Sequence, residues 1–270
     1  MNGFLWSFFV GMAILGCHST HQVAAIPHGK GDGAPMEAIV PALDTLSLEE
    51  REQWITEELL DGHIPKSLAK WSNVTVSIVT AQGKQVKATY YVTPDYLSIG
   101  TDRDFFRVPL TPRTAQSVAT AFHCFLPTRK MVDDIYAAAT VKLQPMPLTE
   151  ARESVSTFYE HHLIIERQRK GRKGLIAGIK KDVVISSAIA DDERPNRVAI
   201  YGWHKLDGIP IQPLYTGHVD WYVDYSHGIR LVHEWIDIGG RMMHYKDVLR
   251  DAELHRLLCD EERCDFYGYP

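Results

Sequence analysis

The chain has 270 residues, of which 45% are hydrophobic and 23% are charged, as is usual for soluble globular proteins. This length allows one large or two small domains, and it suffices for a core that needs neither a metal nor a disulfide. The formal net charge is −5 and the pI is about 6.2, which argues against a nucleic-acid partner, because proteins that bind nucleic acid carry a basic surface.

The N-terminus is an uncharged apolar run that ends at Cys17. It is short for a membrane span, which needs about 20 residues, and it has the length of the apolar part of an export signal. Two processing routes fit residues 1–25. The sequence ILGC resembles a bacterial lipobox, which would make Cys17 a lipid-modified N-terminus. The sequence VAA resembles a cleavage site, and cutting after Ala25 would release a chain that begins at Ile26.

Both routes predict an exported protein, which is periplasmic, lipid-anchored or secreted. Its contact with a membrane would then be limited to the N-terminal signal or the lipid. An N-terminal membrane anchor that is never cut is the third alternative.

Residues 26–46 are rich in Gly, Pro, His and Ala, which predicts a flexible tether. We expect a single globular domain over residues 47–270. Its first helix has Ser47 as the N-cap and Glu50 three positions later, which is the pattern of a capping box. Pro65 follows the predicted helix and prevents it from continuing.

The next part of the chain predicts strands and then helices. Residues 74–81 alternate between apolar and polar, and Gly83 indicates a hairpin turn before a second alternating segment. A further hairpin is expected around Gly100. Three helices follow, at residues 111–122, from Thr128 onward, and at residues 148–170, and the basic tract 167–174 is expected to be a solvated loop.

The last third of the chain consists of short strand-like runs separated by Gly, Pro and Asp. The sequence LDG at residues 206–208 predicts a hairpin turn, and residues 247–258 predict an amphipathic helix. Because strands and helices come in separate runs, the predicted class is α+β. We expect an antiparallel β-sheet core, with helices grouped in the middle of the chain and at the C-terminus.

The sequence GHVDWYVDYSHGIRLV, residues 217–232, is the strongest candidate for a functional site. In a strand, side chains alternate between two faces. One face would carry His218, Asp220, Tyr222, Asp224 and Ser226, and the other Val219, Trp221, Val223, Tyr225 and His227. A face as polar as the first lies either at the surface or in a cleft. Gly228 would then permit a bend that brings His227 and Arg230 to the same cleft.

Three chemistries fit these side chains. Either His218 or His227, oriented by Asp224, would serve as a general base near neutral pH. The same two histidines with Asp224 would suffice as ligands of a hydrolytic zinc ion. Ser226 or Cys124 would be a nucleophile if a histidine activated it. The plainer alternative is a hydrogen-bonded polar strand at the surface.

Several other polar or aromatic residues are candidates for substrate binding, because strand ends and turns often line clefts. They are Lys130, Lys180, Asp182, Trp203, His204 and Tyr222. Simpler structural explanations exist for some of them. Lys130 would pair with Asp133 on one helix face, Trp203 would belong to the core, and Lys180 to Asp182 would be a solvated strand start.

Three cysteines follow Cys17 in the chain. Cys259 and Cys264 flank the sequence DEER, and in an oxidising compartment they could close a small disulfide loop. Cys124 then remains as a single thiol, which is either buried or reactive.

Several motifs occur together in a recognisable order, among them LPTRKMVDDIY, KKDVVI, YGWH and YVDYSHGIRLV. Over about residues 47–258 the chain resembles a family of exported proteins from bacteria and fungi. The resemblance implies one coherent domain and does not indicate a reaction. Cys259 stands where the resemblance implies a serine, which argues against a role for Cys259 in any shared mechanism. A disulfide between Cys259 and Cys264 would then be a feature of this chain that the resemblance does not imply.

We expect an exported hydrolase that acts on a cell-envelope or extracellular polymer, with peptidoglycan or a related glycan as the first substrate. His227 would be the acid or base, Asp224 would orient it, and Arg230 would bind an anion. A divalent metal such as zinc is an open alternative to chemistry by histidine alone.

A different class of function is a non-catalytic module that binds glycan or cell wall. Its aromatic residues would stack on sugars, and the candidates are Trp203, Trp221, Tyr222 and Tyr225. A structural lipoprotein is the remaining alternative.

Overall fold

The structure is a computed structural model that describes residues 23–30 and 34–270. Within these residues it has six α-helices and fourteen short strands, and most neighbouring strands run antiparallel. The predicted α+β class is therefore confirmed. No helix in the described ranges is long and apolar enough to cross a membrane. The export signal predicted for residues 1–25, with its lipobox at Cys17, lies outside the described residues except for residues 23–25.

Part of the segment that was predicted to be a flexible tether is helical, so the prediction is wrong there. A helix, α1 (Met36–Asp44), buries Met36, Val40 and Leu43, whose spacing places them on one helical face. Pro41 lies inside this helix, and Gly- and Pro-rich segments flank it. Because Pro is unfavourable inside helices, the sequence did not predict a helix here. The burial of this apolar face is what holds the segment in place.

The first half of the domain follows the sequence closely. Helix α2 (Leu48–Leu60) begins with the predicted capping box, in which Ser47 and Glu50 each accept a hydrogen bond from the backbone N–H of the other. Two hairpins follow. Their strands are β1 (Ser72–Val79) and β2 (Gln85–Val92), then β3 (Ser98–Gly100) and β4 (Phe105–Arg107).

The three predicted helices are present. Their bounds are α3 (Pro112–Ala121), α4 (Arg129–Ala138) and α5 (Val155–Arg169). Helix α5 begins later than residue 148, because the hydroxyl of Ser154 caps it by accepting the Thr157 backbone N–H. The carboxylate of Asp44, at the end of α1, also accepts a hydrogen bond from the Val155 N–H, so α1 and α5 are fixed to each other.

The larger sheet joins strands from distant parts of the chain. Besides the first hairpin it contains β5 (Cys124–Phe125), β12 (Val232–His233), β13 (Trp235–Ile238) and β14 (Arg241–His244). The strand order is β14-β13-β2-β12-β5, and β1 pairs with β2. Strand β2 therefore lies in the middle of the sheet and connects early and late parts of the sequence.

The smaller sheet carries the candidate site. Its strands are β8 (Lys181–Val184), β9 (Ala199–His204), β10 (Pro210–Tyr215) and β11 (His227–Gly228), in the order β10-β9-β8-β11. The predicted turn at residues 206–208 joins β9 to β10. Two further strands, β6 (Val141–Lys142) and β7 (Ile176–Ala177), pair with each other in parallel.

The strand predicted over residues 217–227 is wrong. Residues 217–226 form turns and irregular backbone, and only His227 of the predicted strand lies in β11. Local hydrogen bonds compete with a β-ladder here, since the Asp224 carboxylate accepts the Ser226 N–H and the Tyr222 N–H donates to the Val219 carbonyl. Trp221, expected on a packed face, is 58% exposed.

The C-terminal segment is fixed by several contacts. The predicted helix is split into α6 (Tyr245–Arg250) and a 3₁₀ helix (Leu254–Leu257), because the Asp251 carboxylate accepts the Glu253 and Leu254 N–H groups. Cys259 and Cys264 form a disulfide.

Cys124 is a buried free thiol, and burial raises its pKa well above the usual value. This environment fits a buried residue of the core and makes a reactive thiolate unfavourable.

Candidate functional site

The parallel pairing of β11 with β8 builds the floor of the site. It places His227 opposite Lys181, and the Lys181 N–H donates to the Ser226 carbonyl at 2.8 Å. Gly228 permits this pairing, because a Cβ there would lie 2.6 Å from the Tyr96 ring and 2.7 Å from the Lys180 Cβ. Two chain segments that are distant in sequence therefore meet at His227.

The buried carboxylate of Asp224 organises the loop before β11. Its Oδ1 accepts hydrogen bonds from the backbone N–H and the hydroxyl of Ser226, at 2.8 and 2.5 Å. Its Oδ2 accepts from Arg152 Nη2 at 2.5 Å and from the Tyr222 hydroxyl at 3.0 Å. Burial by itself raises the pKa of Asp224, but the charge of His227 where that ring is protonated, the hydrogen bonds from Ser226 and the charge of Arg152 together hold it below its usual value. Asp224 is therefore an ionised anchor.

His227 is fully buried, and neither of its ring nitrogens has a hydrogen-bond partner among the described residues. Its ring centroid lies 6.4 Å from that of His218 and 5.9 Å from that of Tyr222. Burial lowers the pKa of His227 to about 4, although Asp224 acts in the opposite direction. The imidazole is consequently neutral at pH 7.

His218 is half-buried and more accessible than His227. Its ring stacks on the Tyr222 ring at a centroid distance of 4.3 Å. Burial lowers the pKa of His218 and raises that of Tyr222 to about 12. At neutral pH this pair therefore consists of an uncharged imidazole that can accept a proton and a protonated phenol.

Lys181 and Lys180 have different environments although they are adjacent. The Lys181 Nζ lies 4.8 Å from the Trp203 ring centroid, and burial lowers its pKa. The Lys180 Nζ donates to the Tyr225 carbonyl, and burial lowers its pKa to about 7. Lys180 thus supports the backbone of the loop, while Lys181 belongs to the site.

We use the name histidine cluster for the side chains that these contacts bring together. Its members are Arg152, Lys181, His218, Tyr222, Asp224 and His227. Arg152 was not predicted as a member of the site, because it lies far from the 217–232 segment in the chain and belongs to no motif. Lys181 lies between Lys180 and Asp182 in the sequence KKD, and only those two residues were predicted to bind substrate.

Asp224 was predicted to orient a histidine by a hydrogen bond, and this prediction is wrong for the described residues. Four hydrogen bonds from Ser226, Arg152 and Tyr222 occupy the two carboxylate oxygens, and no hydrogen bond joins Asp224 to a histidine ring in the described part of the chain. The Ser226 hydroxyl, a candidate nucleophile, is fully buried and donates to this carboxylate. It has no histidine partner.

Arg230 and Asp182 belong to a separate buried network. The Arg230 Nη atoms donate to the backbone carbonyls of Thr93 and Ile176, at 2.8 and 2.6 Å, and the guanidinium lies 4.3 Å from the Tyr96 ring centroid. Asp182 accepts from the Tyr96 hydroxyl at 3.3 Å, and burial raises its pKa to about 6. These contacts give Arg230 a structural position in place of the expected anion-binding role.

His204 and Lys130 also lie outside the histidine cluster. The His204 Nε2 lies 2.8 Å from an Asp133 oxygen, and its ring stacks on Tyr136. Lys130 pairs with Asp134 at 2.7 Å, so the expected pairing with Asp133 is wrong by one position. Asp220, predicted to share a face with His218, binds the Arg at position 113.

Two further observations bear on ligands. Among residues 23–30 and 34–270, no group of three or more His, Cys, Asp or Glu side chains is arranged to hold a metal ion. A cavity of about 420 Å³ lies elsewhere, with Glu234, His244 and Tyr267 among its lining residues, and none of those residues belongs to the histidine cluster.

Comparison with known proteins adds nothing to these observations. No family model matches the chain, and neither a curated protein nor a solved structure matches it. The resemblance to a family of exported proteins therefore stays a prediction.

Proposed function

We propose that the protein is an exported hydrolase of a cell-envelope or extracellular polymer, and that the histidine cluster is its catalytic site. The observation that carries this proposal is His227, whose buried ring nitrogens lack partners. Nearly all buried polar atoms in proteins are hydrogen-bonded, so an unpaired pair of ring nitrogens points to a group that acts on a ligand. A buried histidine with a strongly shifted pKa, beside an ionised carboxylate, is typical of a functional site.

Hydrolysis of an ester or amide link needs a base that takes a proton from the attacking water and positive charge for the carbonyl oxygen that becomes negative. The base then returns this proton to the leaving group as the carbon–oxygen or carbon–nitrogen bond breaks. His218 is the base in this proposal, because it is neutral at pH 7 and is the more accessible histidine. Lys181 and Arg152 supply positive charge close by. His227 would hydrogen-bond the substrate through its unpaired ring nitrogens.

The polymer substrate rests on the predicted export signal, which places the protein outside the cytoplasm. Peptidoglycan is the first substrate to test, since it is the polymer that an exported bacterial hydrolase meets. Two aromatic residues, Tyr215 and Tyr222, flank His218 and suit a sugar ring.

One observation favours the second candidate, a non-catalytic glycan-binding module. Trp221 is 58% exposed and Tyr215 is 43% exposed, and exposed aromatic rings bind sugars by stacking. Such a module would need Trp221 and would not need the base His218.

Turnover on peptidoglycan fragments separates the two candidates. The wild type would be compared with His218→Ala and with the control His255→Ala, whose imidazole bonds the Asp251 carbonyl away from the cluster. We expect His218→Ala to lower kcat by about 100-fold or more, the usual contribution of a general base, and to keep substrate binding. Metal content, measured by mass spectrometry on the same samples, tests for a bound ion.

The hydrolase proposal fails if the wild type binds the polymer without turnover. It also fails if His218→Ala and His255→Ala are equally active. Loss of binding in Trp221→Ala, in a protein without turnover, would support the glycan-binding module.

A further inference from the structure

Lys181 is a buried cation without a polar partner in the part of the chain that the structure describes. Its side chain is almost entirely buried, at 7% exposure, and its Nζ lies over the Trp203 ring. No hydrogen bond or ion pair joins this ammonium to a described residue. Lys180 and Lys130, by contrast, have a carbonyl and a carboxylate as acceptors. The Lys181 Nζ is not among the fully enclosed polar atoms that lack a partner, so the ammonium keeps contact with solvent and is open to an anionic ligand. A hydrogen bond from this ammonium to an anion would be charge-assisted.

The nearest carboxylate does not neutralise Lys181. Asp224 attracts the Lys181 charge, but its oxygens already accept hydrogen bonds from Arg152, Ser226 and Tyr222. The cluster therefore holds two cations for one buried carboxylate, while both histidines are neutral at pH 7. Glu153 acts on the cluster only as a minor influence on the pKa of His218 and of Tyr222.

The backbone under Lys181 is held in a strained conformation. Trp203 has φ +58°, which is rare for a bulky residue, and it follows Gly202 at φ +108°. The Trp203 N–H donates to the Lys180 carbonyl, and its indole N–H donates to the Ile179 carbonyl. These two bonds fix the ring on which the ammonium rests. Strain of this kind collects at ligand sites, where it positions the binding groups in advance.

We propose that Lys181, supported by Trp203 and beside His227, binds an oxyanion of the substrate, either a carboxylate or a phosphate. The substrate class is then an anionic polymer, and this step rests on the proposed function. The ammonium provides the charge, and the protonated one of the two ring nitrogens of neutral His227 donates a hydrogen bond to the same group.

Calorimetric titration with acetate and with inorganic phosphate tests the subsite without any turnover. Three proteins are compared: the wild type, Lys181→Met, and the control Lys142→Met. Lys142 is a matched control because its Nζ also lies over an aromatic ring, that of Tyr136 at 4.6 Å, outside the cluster. We expect Lys181→Met to weaken binding about tenfold or more, the effect of losing a charged hydrogen bond, and Lys142→Met to bind like the wild type.

Acetate and phosphate distinguish the two sources of the oxyanion. The anion that binds more tightly indicates whether the polymer carries carboxylates or phosphates. Lys181→Arg, which keeps the charge, is expected to retain part of the affinity. Circular dichroism of each variant checks that it is folded. Equal binding by the wild type and a folded Lys181→Met, or no binding of either anion by the wild type, overturns the subsite.

The subsite and the hydrolase can fail separately. Anion binding that depends on Lys181, in a protein without turnover of any polymer, leaves the subsite and removes the hydrolase. Turnover that Lys181→Met does not alter, on neutral and anionic polymers alike, leaves a hydrolase whose positive charge comes from Arg152 and removes the subsite.

Discussion

Two neighbouring ionisable residues of the histidine cluster are held in different protonation states. Asp224 is buried but ionised, because hydrogen bonds and the Arg152 charge offset the cost of burial. His227 is buried and neutral, because no hydrogen-bond partner offsets the cost of charging it. Both side chains are buried, so their hydrogen-bond partners, and not their burial, explain why Asp224 is charged and His227 is neutral.

This difference predicts how acid affects His227. Unfolded histidine takes up a proton below its ordinary pKa of 6.5, and folded His227 does so only near 4, so the stability that it contributes is lost as the pH falls through this window. Between pH 7 and pH 4 we expect the wild type to lose about 3 kcal/mol more free energy of unfolding than His227→Phe. Urea unfolding of both proteins at the two pH values measures this.

The other buried histidines, His161 and His162, also have lowered pKa values and are present in both proteins. The comparison with His227→Phe therefore reports on His227 together with Asp224, whose pKa depends on the charge of His227. An equal loss of stability in the two proteins would contradict a neutral His227.

Among the elements, the two-residue strand β11 is closely packed. Its Gly228 lies against the Tyr96 ring and the stem of Lys180, in the parallel pair with β8. A strand this short has few ladder hydrogen bonds, so its position depends on packing against its neighbours.

We expect Gly228→Ala to lower the free energy of unfolding by about 2 kcal/mol. The new methyl group would meet the Tyr96 ring and the Cβ of Lys180, and a Cβ cannot move without its main chain. Gly268→Ala is the matched control, since a Cβ there would meet only the mobile end of the Gln116 side chain. Thermal unfolding of both variants measures the effect. Similar melting temperatures for the two would show that β11 can shift without cost.

The elements that the sequence predicted well are those fixed by near neighbours. The capping box of Ser47 and Glu50 and the hairpin turn at Gly83 depend on residues a few positions apart, and both are found.

The members of the histidine cluster were predicted only in part, because Arg152 and Lys181 reach Asp224 and His227 only through the tertiary fold. The alternating pattern of 217–227 gave a wrong strand, because polar side chains there bond the backbone.

In the whole molecule, the segment at residues 23–30 lies along the domain and forms part of it. The Ala24 N–H donates to His233 Nε2 at 3.2 Å, and the Trp71 indole N–H donates to the Ala24 carbonyl at 3.1 Å. Ile26 is 1% exposed. Cleavage after Ala25 would remove the first two contacts, whereas processing at Cys17 would keep them.

A chain that begins at Ile26 is therefore expected to be less stable than one that begins at His18. Two hydrogen bonds are lost, which corresponds to about 2 kcal/mol. Differential scanning calorimetry of the two purified chains measures the difference, and we expect a melting temperature lower by about 5 °C for the shorter chain. Identical melting temperatures would mean that residues 18–25 add nothing to the fold.

The central position of β2 in the larger sheet affects when the protein can fold. Val92 pairs with Val232, so the sheet cannot close until the ribosome has made almost the entire domain. Chains dominated by such distant pairings fold slowly. The larger sheet of the nascent polypeptide therefore stays incomplete during synthesis, and β2 has no partner on its β12 and β13 side until the end of the chain emerges.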